Sequence, residues 1–251
     1  MNTNTHLSNL RLTAFVSAEA PLAAFLMVVV VFIPPFYAGH MGLGLSSVGL
    51  IFALTKLWDV FTDPVFGLIS DRWHTRLGRR KPWLVLSLPI LILCIVFVFV
   101  PTAPVSNNYF ALWMLLMYVG WTLASISHIS WAAELSTDYH ERSRISGFKQ
   151  AAGLVGAIFV MSIVAVADHL PDFDESARLK LIATVLIIAL PICIALAVLT
   201  VKEPKPLASK KLRKNSKSKA ILFKNGPLLK LIITNLLLGM ATGSVAGMFL
   251  F

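Results

Sequence analysis

Seven stretches of about 20 or more mostly apolar residues constrain this chain more than any other feature. They run roughly from 12 to 38, 45 to 70, 83 to 101, 109 to 133, 145 to 167, 177 to 201 and 227 to 251. At 1.5 Å per residue, each is long enough to cross a hydrocarbon core of ~30 Å. Backbone amides and carbonyls find no water there, so the runs must satisfy one another as helices. The chain is 57% hydrophobic and only 14% charged, against about a quarter charged in a soluble domain. The expected fold class is an all-α integral membrane protein, with the lipid bilayer as its surroundings.

The formal net charge of +10 would suggest a nucleic-acid partner in a soluble protein. The position of the charges excludes that reading. Lys and Arg fall in the connectors, nearly all in every second one: Arg72 to Lys81, then Arg142 and Arg144, then nine basic residues from Lys202 to Lys224. The connectors around His40 and from Thr102 to Asn108 have none, and the one from Asp168 to Glu175 is acidic. The positive-inside rule then places the N-terminus and the basic loops in the cytoplasm. Arg178 and Lys180 sit at an outer helix end, where they can snorkel. Cys94 and Cys193 lie inside apolar runs, so no disulfide framework is expected. The first run is too long for a signal-peptide core and lacks a small-residue cleavage site.

The spacing predicts three parts: a six-helix transmembrane bundle over 1–201, a basic linker over 202–226 with the Ser/Lys-rich tract Ser209 to Lys219, and the start of a seventh helix over 227–251. Six helices, a long basic linker and a new helix form the pattern of one half-bundle joined to a second. The expectation is a truncated transporter whose C-terminal half is missing, since a lone seventh helix would expose faces built for partners. The alternative on loop pattern alone is a true seven-helix protein.

Charged residues inside the runs mark where chemistry belongs. Lys56, Asp59 and Asp63 in the second run would together cost ~10 kcal/mol if ionised and facing lipid. Asp59 and Asp63 are four apart and share a helix face with Thr62, their Cβ atoms roughly 5 to 6 Å apart. Two carboxylates that close in a low dielectric share a proton or hold a cation between them, and a hard cation such as Na⁺ prefers oxygen ligands. The alternative is a neutralised Lys56/Asp59 pair. The second run ends in Gly67, Asp71 and Arg72, followed by Gly78, Arg79 and Arg80. An Asp at a helix end beside several Arg can form ion pairs that favour one of two bundle arrangements.

In the fourth run, Thr122 and Ser125 share a face and can supply hydroxyl oxygens to a cation or simply pack helices. His128 is a candidate proton or solute ligand, and Trp131 offers a stacking face. Glu19, the only acid of the first run, is expected one to two turns inside the cytoplasmic end, where ligand binding and snorkelling compete.

Asp59-Val60-Phe61-Thr62-Asp63-Pro64 with Gly67, then Arg76-Leu77-Gly78-Arg79-Arg80-Lys81-Pro82-Trp83, then Asp138-Tyr139-His140-Glu141-Arg142, resemble the glycoside-pentoside-hexuronide cation symporters of the major facilitator superfamily. The resemblance spans about residues 11 to 201. It implies the N-terminal half of a major facilitator fold with a cation site at Asp59, Thr62, Asp63 and Thr122. Thr62 stands where that family's best-known member has Asn. For the solute side it implies Ser125 and Lys149, with Glu19 in place of a first-helix Asp; His128 and Trp131 join this side from their own chemistry. There Ser125 replaces a galactoside-binding Asp, Ser127 a Pro, and Lys149 approximates an Arg, so the cation site is kept better than the sugar site.

The resulting expectation is an inner-membrane symporter that moves a small polar solute, a sugar or glycoside, with H⁺ or Na⁺, without enzyme activity and without a cofactor beyond the coupling ion. Lipid-like and amino-sugar solutes stay open. The rivals are a membrane-embedded transferase and a non-transporting truncated protein. For the transferase, only Asp138 with His140-Glu141 offers an acid/His group, in a spacing that matches no metal pattern.

Overall fold

The computed structural model describes residues 6–73, 75, 78–102, 104–169 and 173–204, and residues 226, 227, 229, 230, 233, 234 and 237. Among the described residues the regular structure is helical, apart from an isolated bridge between Thr75 and Gly78. Six stretches are long and apolar enough to cross a membrane. The chain divides into two units, Met1–Pro204 and Lys205–Phe251. In the second, residues 205–225 of the expected linker and most of the expected seventh helix lie outside the described residues. Those that are described there are helical, and the Thr234 hydroxyl donates to the Lys230 carbonyl at 2.9 Å.

The first span, Asn9–His40, is not the single smooth helix that its apolarity suggests. It consists of α1 (Asn9–Val16), α2 (Glu19–Val31), the short α3 (Ile33–Pro35) and a π-helical turn, Phe36–His40. Proline explains the breaks. Pro21 has no N–H to offer the Ser17 carbonyl, which instead accepts from the Ala20 amide at 3.3 Å in a tighter turn. Pro34 and Pro35 remove two further donors, and the chain widens until the Met41 amide reaches the Phe36 carbonyl at 2.9 Å. Glu19 therefore opens α2 at the break, deeper in the span than one to two turns.

The other five spans are α4 (Leu45–Arg72), α5 (Lys81–Phe99), α6 (Asn107–Glu134), α7 (Tyr139–Ala167) and α8 (Glu175–Thr200). The α7 helix begins well before residue 145 because its first turns are polar and invisible to an apolar count. The Asp138 carboxylate caps it, accepting from the Glu141 amide at 2.9 Å. Ser106 and Asp174 cap α6 and α8 in the same way.

Helix α6 packs against α4 and α5, α2 against α7, and α8 against α5 and α1. Small residues set the α2–α7 contact. A Cβ built at Gly156 would lie 2.1 Å from the Ala20 carbonyl oxygen, so only glycine permits that approach. The interior is otherwise apolar and aromatic. Tyr37 stacks on Phe110 with centroids 3.9 Å apart and donates its hydroxyl to the Val98 carbonyl. Large apolar side chains on α4 and α7, among them Phe61, Val60, Leu154 and Val155, point outward.

Candidate functional site

The α4–α6 contact brings the sequence-predicted cation residues together. Thr122 on α6 donates to Asp63 Oδ1 on α4 at 3.0 Å. One turn earlier on α4, Asp59 Oδ2 lies 3.5 Å from the Lys56 ammonium, while Asp59 Oδ1 is buried with no hydrogen-bond partner among the described residues. Leaving such an acceptor empty costs about 1–3 kcal/mol, more when it is charged. The Lys56/Asp59 pairing weighed from sequence thus exists and satisfies only one of the two oxygens. Thr62 is buried and turns its hydroxyl hydrogen onto the Trp58 carbonyl at 3.0 Å, which leaves its lone pairs free. Ser125 donates weakly to the Thr122 carbonyl at 3.5 Å. Four residues before Thr122 on the same helix, the Tyr118 ring lies under the Lys56 ammonium at 4.7 Å, its hydroxyl buried and unpartnered among the described residues.

A second ionic cluster joins α2, α6 and α7. Glu19 Oε2 is 2.9 Å from His128 Nδ1 and 3.0 Å from the Lys149 ammonium. The other ring nitrogen of His128 faces the Phe15 carbonyl at 3.2 Å. Both imidazole nitrogens thus meet oxygen, and one hydrogen must lie between His128 and Glu19 for that contact to be a bond. Glu19 and Lys149 keep 19% and 15% of their side-chain surface open, whereas His128 is sealed. Gly153, one turn from Lys149, admits the Glu19 stem: a Cβ there would stand 3.4 Å from Glu19 Cγ. Trp131 is brought near this group but not into its open side. It is fully buried, edge-on to Phe15 at 5.0 Å and under the Lys81 ammonium at 5.3 Å, so the stacking face expected of it is occupied.

At the basic end of the bundle, Arg80 is buried and bonds to three groups: Ser70 at 2.7 Å, Asp71 at 2.6 Å and Glu134 at 2.9 Å. Arg79 also pairs with Glu134. The Glu203 carboxylate, beyond α8, accepts from the backbone amides of Arg79 at 2.8 Å and Arg80 at 3.0 Å, capping α5 from a distant part of the chain. Gly78 is required there: its φ is +119°, and a Cβ would fall 2.1 Å from Glu203 Oε2. A Cβ at Gly67 would meet nothing within 4 Å. The side chain of Arg72 is outside the described residues.

Sequence reasoning missed Tyr118, Glu134 and Glu203 as participants. Glu203 was signalled by being a lone acid between Lys202 and Lys205, and Tyr118 by its i, i+4 spacing to Thr122.

A family model described as MFS/sugar transport protein matches residues 14–251. The chain is 27% identical over 133 residues to the isoprimeverose transporter of Lactiplantibacillus pentosus, which covers 51% of this chain and 27% of that protein. It is 32% identical over 122 residues to the sodium-dependent lysophosphatidylcholine symporter 1 of Mus musculus, covering 45% and 23%. To the inner membrane symporter YicJ of Escherichia coli it is 24% identical over 136 residues, covering 51% and 30%. Each match spans less than a third of the relative's own length. These relatives are transporters, not enzymes, which removes the transferase alternative. With six apolar helices and this match, the chain is a multi-pass membrane protein that belongs to the MFS/sugar transport family, that of the glycoside-pentoside-hexuronide cation symporters.

Proposed function

We propose that the chain carries the ion-holding part of an inner-membrane symporter, in which H⁺ or Na⁺ at Asp59, Thr62, Asp63 and Thr122 moves with a small polar solute, a sugar or glycoside. The observation that carries this reading is the buried Oδ1 of Asp59, without a partner among the described residues and one helical turn from Asp63, on a span long and apolar enough to cross the membrane. A cation there is attracted by two carboxylates and finds neutral oxygens at Thr62 and Thr122. Glu19 and Lys149, which keep open surface, offer an acceptor and a donor for solute hydroxyls, while the sealed His128 holds Glu19 in place, with Ser125 three residues before it. The Asp71/Arg80/Glu134 cluster ties three helix ends together, as a gate must when the two sides of a transporter open alternately. The N-terminus and basic loops face the cytoplasm, and the remaining wall of the solute cavity comes from the part of such proteins beyond the matched segment. The sodium dependence of the Mus musculus symporter supports the ion, and the match to the MFS/sugar transport family supports the solute class.

Radiosodium binding to the purified chain in detergent tests the proposal. Binding that falls more than about tenfold in both Asp59→Asn and Asp63→Asn supports it. Sodium or proton binding unchanged in both variants overturns it.

A further inference from the structure

We propose that Lys56 fixes the valence of the ion: its ammonium is a built-in counter-cation that leaves the Asp59/Asp63 site room for one monovalent ion and shuts out divalent ones. This rests on the reading of Asp59 and Asp63 as the ion site. Lys56 precedes Asp59 on the same face of α4, and its ammonium stands 3.5 Å from Asp59 Oδ2, longer than a tight charge-assisted bond of about 2.7–2.9 Å. On its other side the ammonium rests over the Tyr118 ring at 4.7 Å. Although 59% of the Lys56 side-chain surface is open, its charge lies between a carboxylate and an aromatic face, beside the Asp59 Oδ1 that has no partner among the described residues and would take the ion.

The charge count follows. Two ionised carboxylates and one ammonium sum to a single negative charge, and Thr62 and Thr122 add none. One monovalent ion neutralises the site. A divalent ion leaves an uncompensated positive charge in a low dielectric, which is disfavoured. Repulsion from Lys56 grows in proportion to the charge of the arriving ion, so removing the ammonium benefits a divalent ion by twice the free energy, that is, by the square of the monovalent fold-gain. A lysine that merely packs against Tyr118 or holds the helix produces no such squared relation.

The experiment measures sodium and calcium binding to the purified chain, at fixed pH and ionic strength, for the wild type, Lys56→Gln and Lys56→Arg. If Lys56→Gln tightens sodium binding about tenfold, calcium binding should tighten about a hundredfold, and the calcium gain should vanish when Asp63→Asn is added. Lys56→Arg keeps the charge and should gain neither. Lys56→Met, which keeps the apolar stem, carries the same test should the Gln variant fail to fold. Unchanged calcium affinity in the neutral variants, or an equal gain in Lys56→Arg, overturns the proposal. Sodium binding that depends on Asp59 and Asp63 with no change of valence preference sinks only this inference. Absence of sodium and calcium binding in every variant, together with proton uptake that does not change in Asp59→Asn or Asp63→Asn, sinks the ion-site reading with it.

Discussion

Thr122 donates its hydroxyl hydrogen to Asp63 Oδ1 across 3.0 Å, and this bond joins α6 to α4 at the level of the carboxylate pair. Thr62, next to Asp63 on α4, behaves differently and spends its hydrogen on the Trp58 carbonyl of its own helix. One threonine therefore positions a carboxylate, and the other offers only lone pairs.

Thr122→Val keeps the volume of the side chain and removes the donor. Sodium binding by the purified chain should weaken by roughly three- to tenfold, in line with one lost hydrogen bond to a charged group of about 1.5–3 kcal/mol partly recovered by ion contact. The loss should be smaller than in Asp63→Asn, which removes a unit charge. Thr122→Ser should restore wild-type affinity. A Thr122→Val protein with unaltered binding would show that the bond is a helix-packing feature.

Much of this arrangement is legible in the sequence. The apolar runs located the six spans to within a few residues at most ends, because lipid allows no other backbone solution. The i, i+4 spacing put Asp59 and Asp63 on one face. Two kinds of feature escaped. Backbone breaks at Pro21 and at Pro34-Pro35 are hidden inside an apolar run, so the sequence places Glu19 near a helix end although it sits at an internal kink. Long-range partners such as Glu203 at the α5 N-terminus, or Glu19 with Lys149, join residues far apart in sequence whose meeting depends on helix packing. Apolar periodicity specifies that a helix is buried, not which neighbour it faces.

The Glu203 cap gives the next expectation. Glu203→Ala removes the acceptor of the Arg79 and Arg80 amides and should destabilise the detergent-solubilised protein by about 1–2 kcal/mol, read as a lower melting temperature. Gly78→Ala should do at least as much, since its Cβ needs the space of Glu203 Oε2 and its φ of +119° is strained for alanine. The two changes act on one contact. The double variant should therefore melt well above the value expected from adding the two losses, and simple additivity would mean that Gly78 and Glu203 are independent.

The Glu19–Lys149 pair offers the last expectation, because it tests whether the membrane bundle keeps its charges in balance. Glu19 Oε2 stands 3.0 Å from the Lys149 ammonium and 2.9 Å from His128 Nδ1, on helices brought close by Gly153 and Gly156. Glu19→Gln leaves a cation partly buried with no counter-charge and should cost about 2–4 kcal/mol of stability; Lys149→Met leaves the acid with His128 and should cost less. Combining the two removes both charges, so the double variant should be more stable than Glu19→Gln alone. Gly156→Val should reproduce part of the Glu19→Gln effect with every charge intact, since its side chain would collide with the Ala20 carbonyl and push α2 from α7. Thermal melts followed by tryptophan fluorescence in detergent report all four variants. If the double variant is less stable than Glu19→Gln, then Lys149 does not act as the acid's counter-charge, and His128 together with the helix contact at Gly156 holds α2 in place.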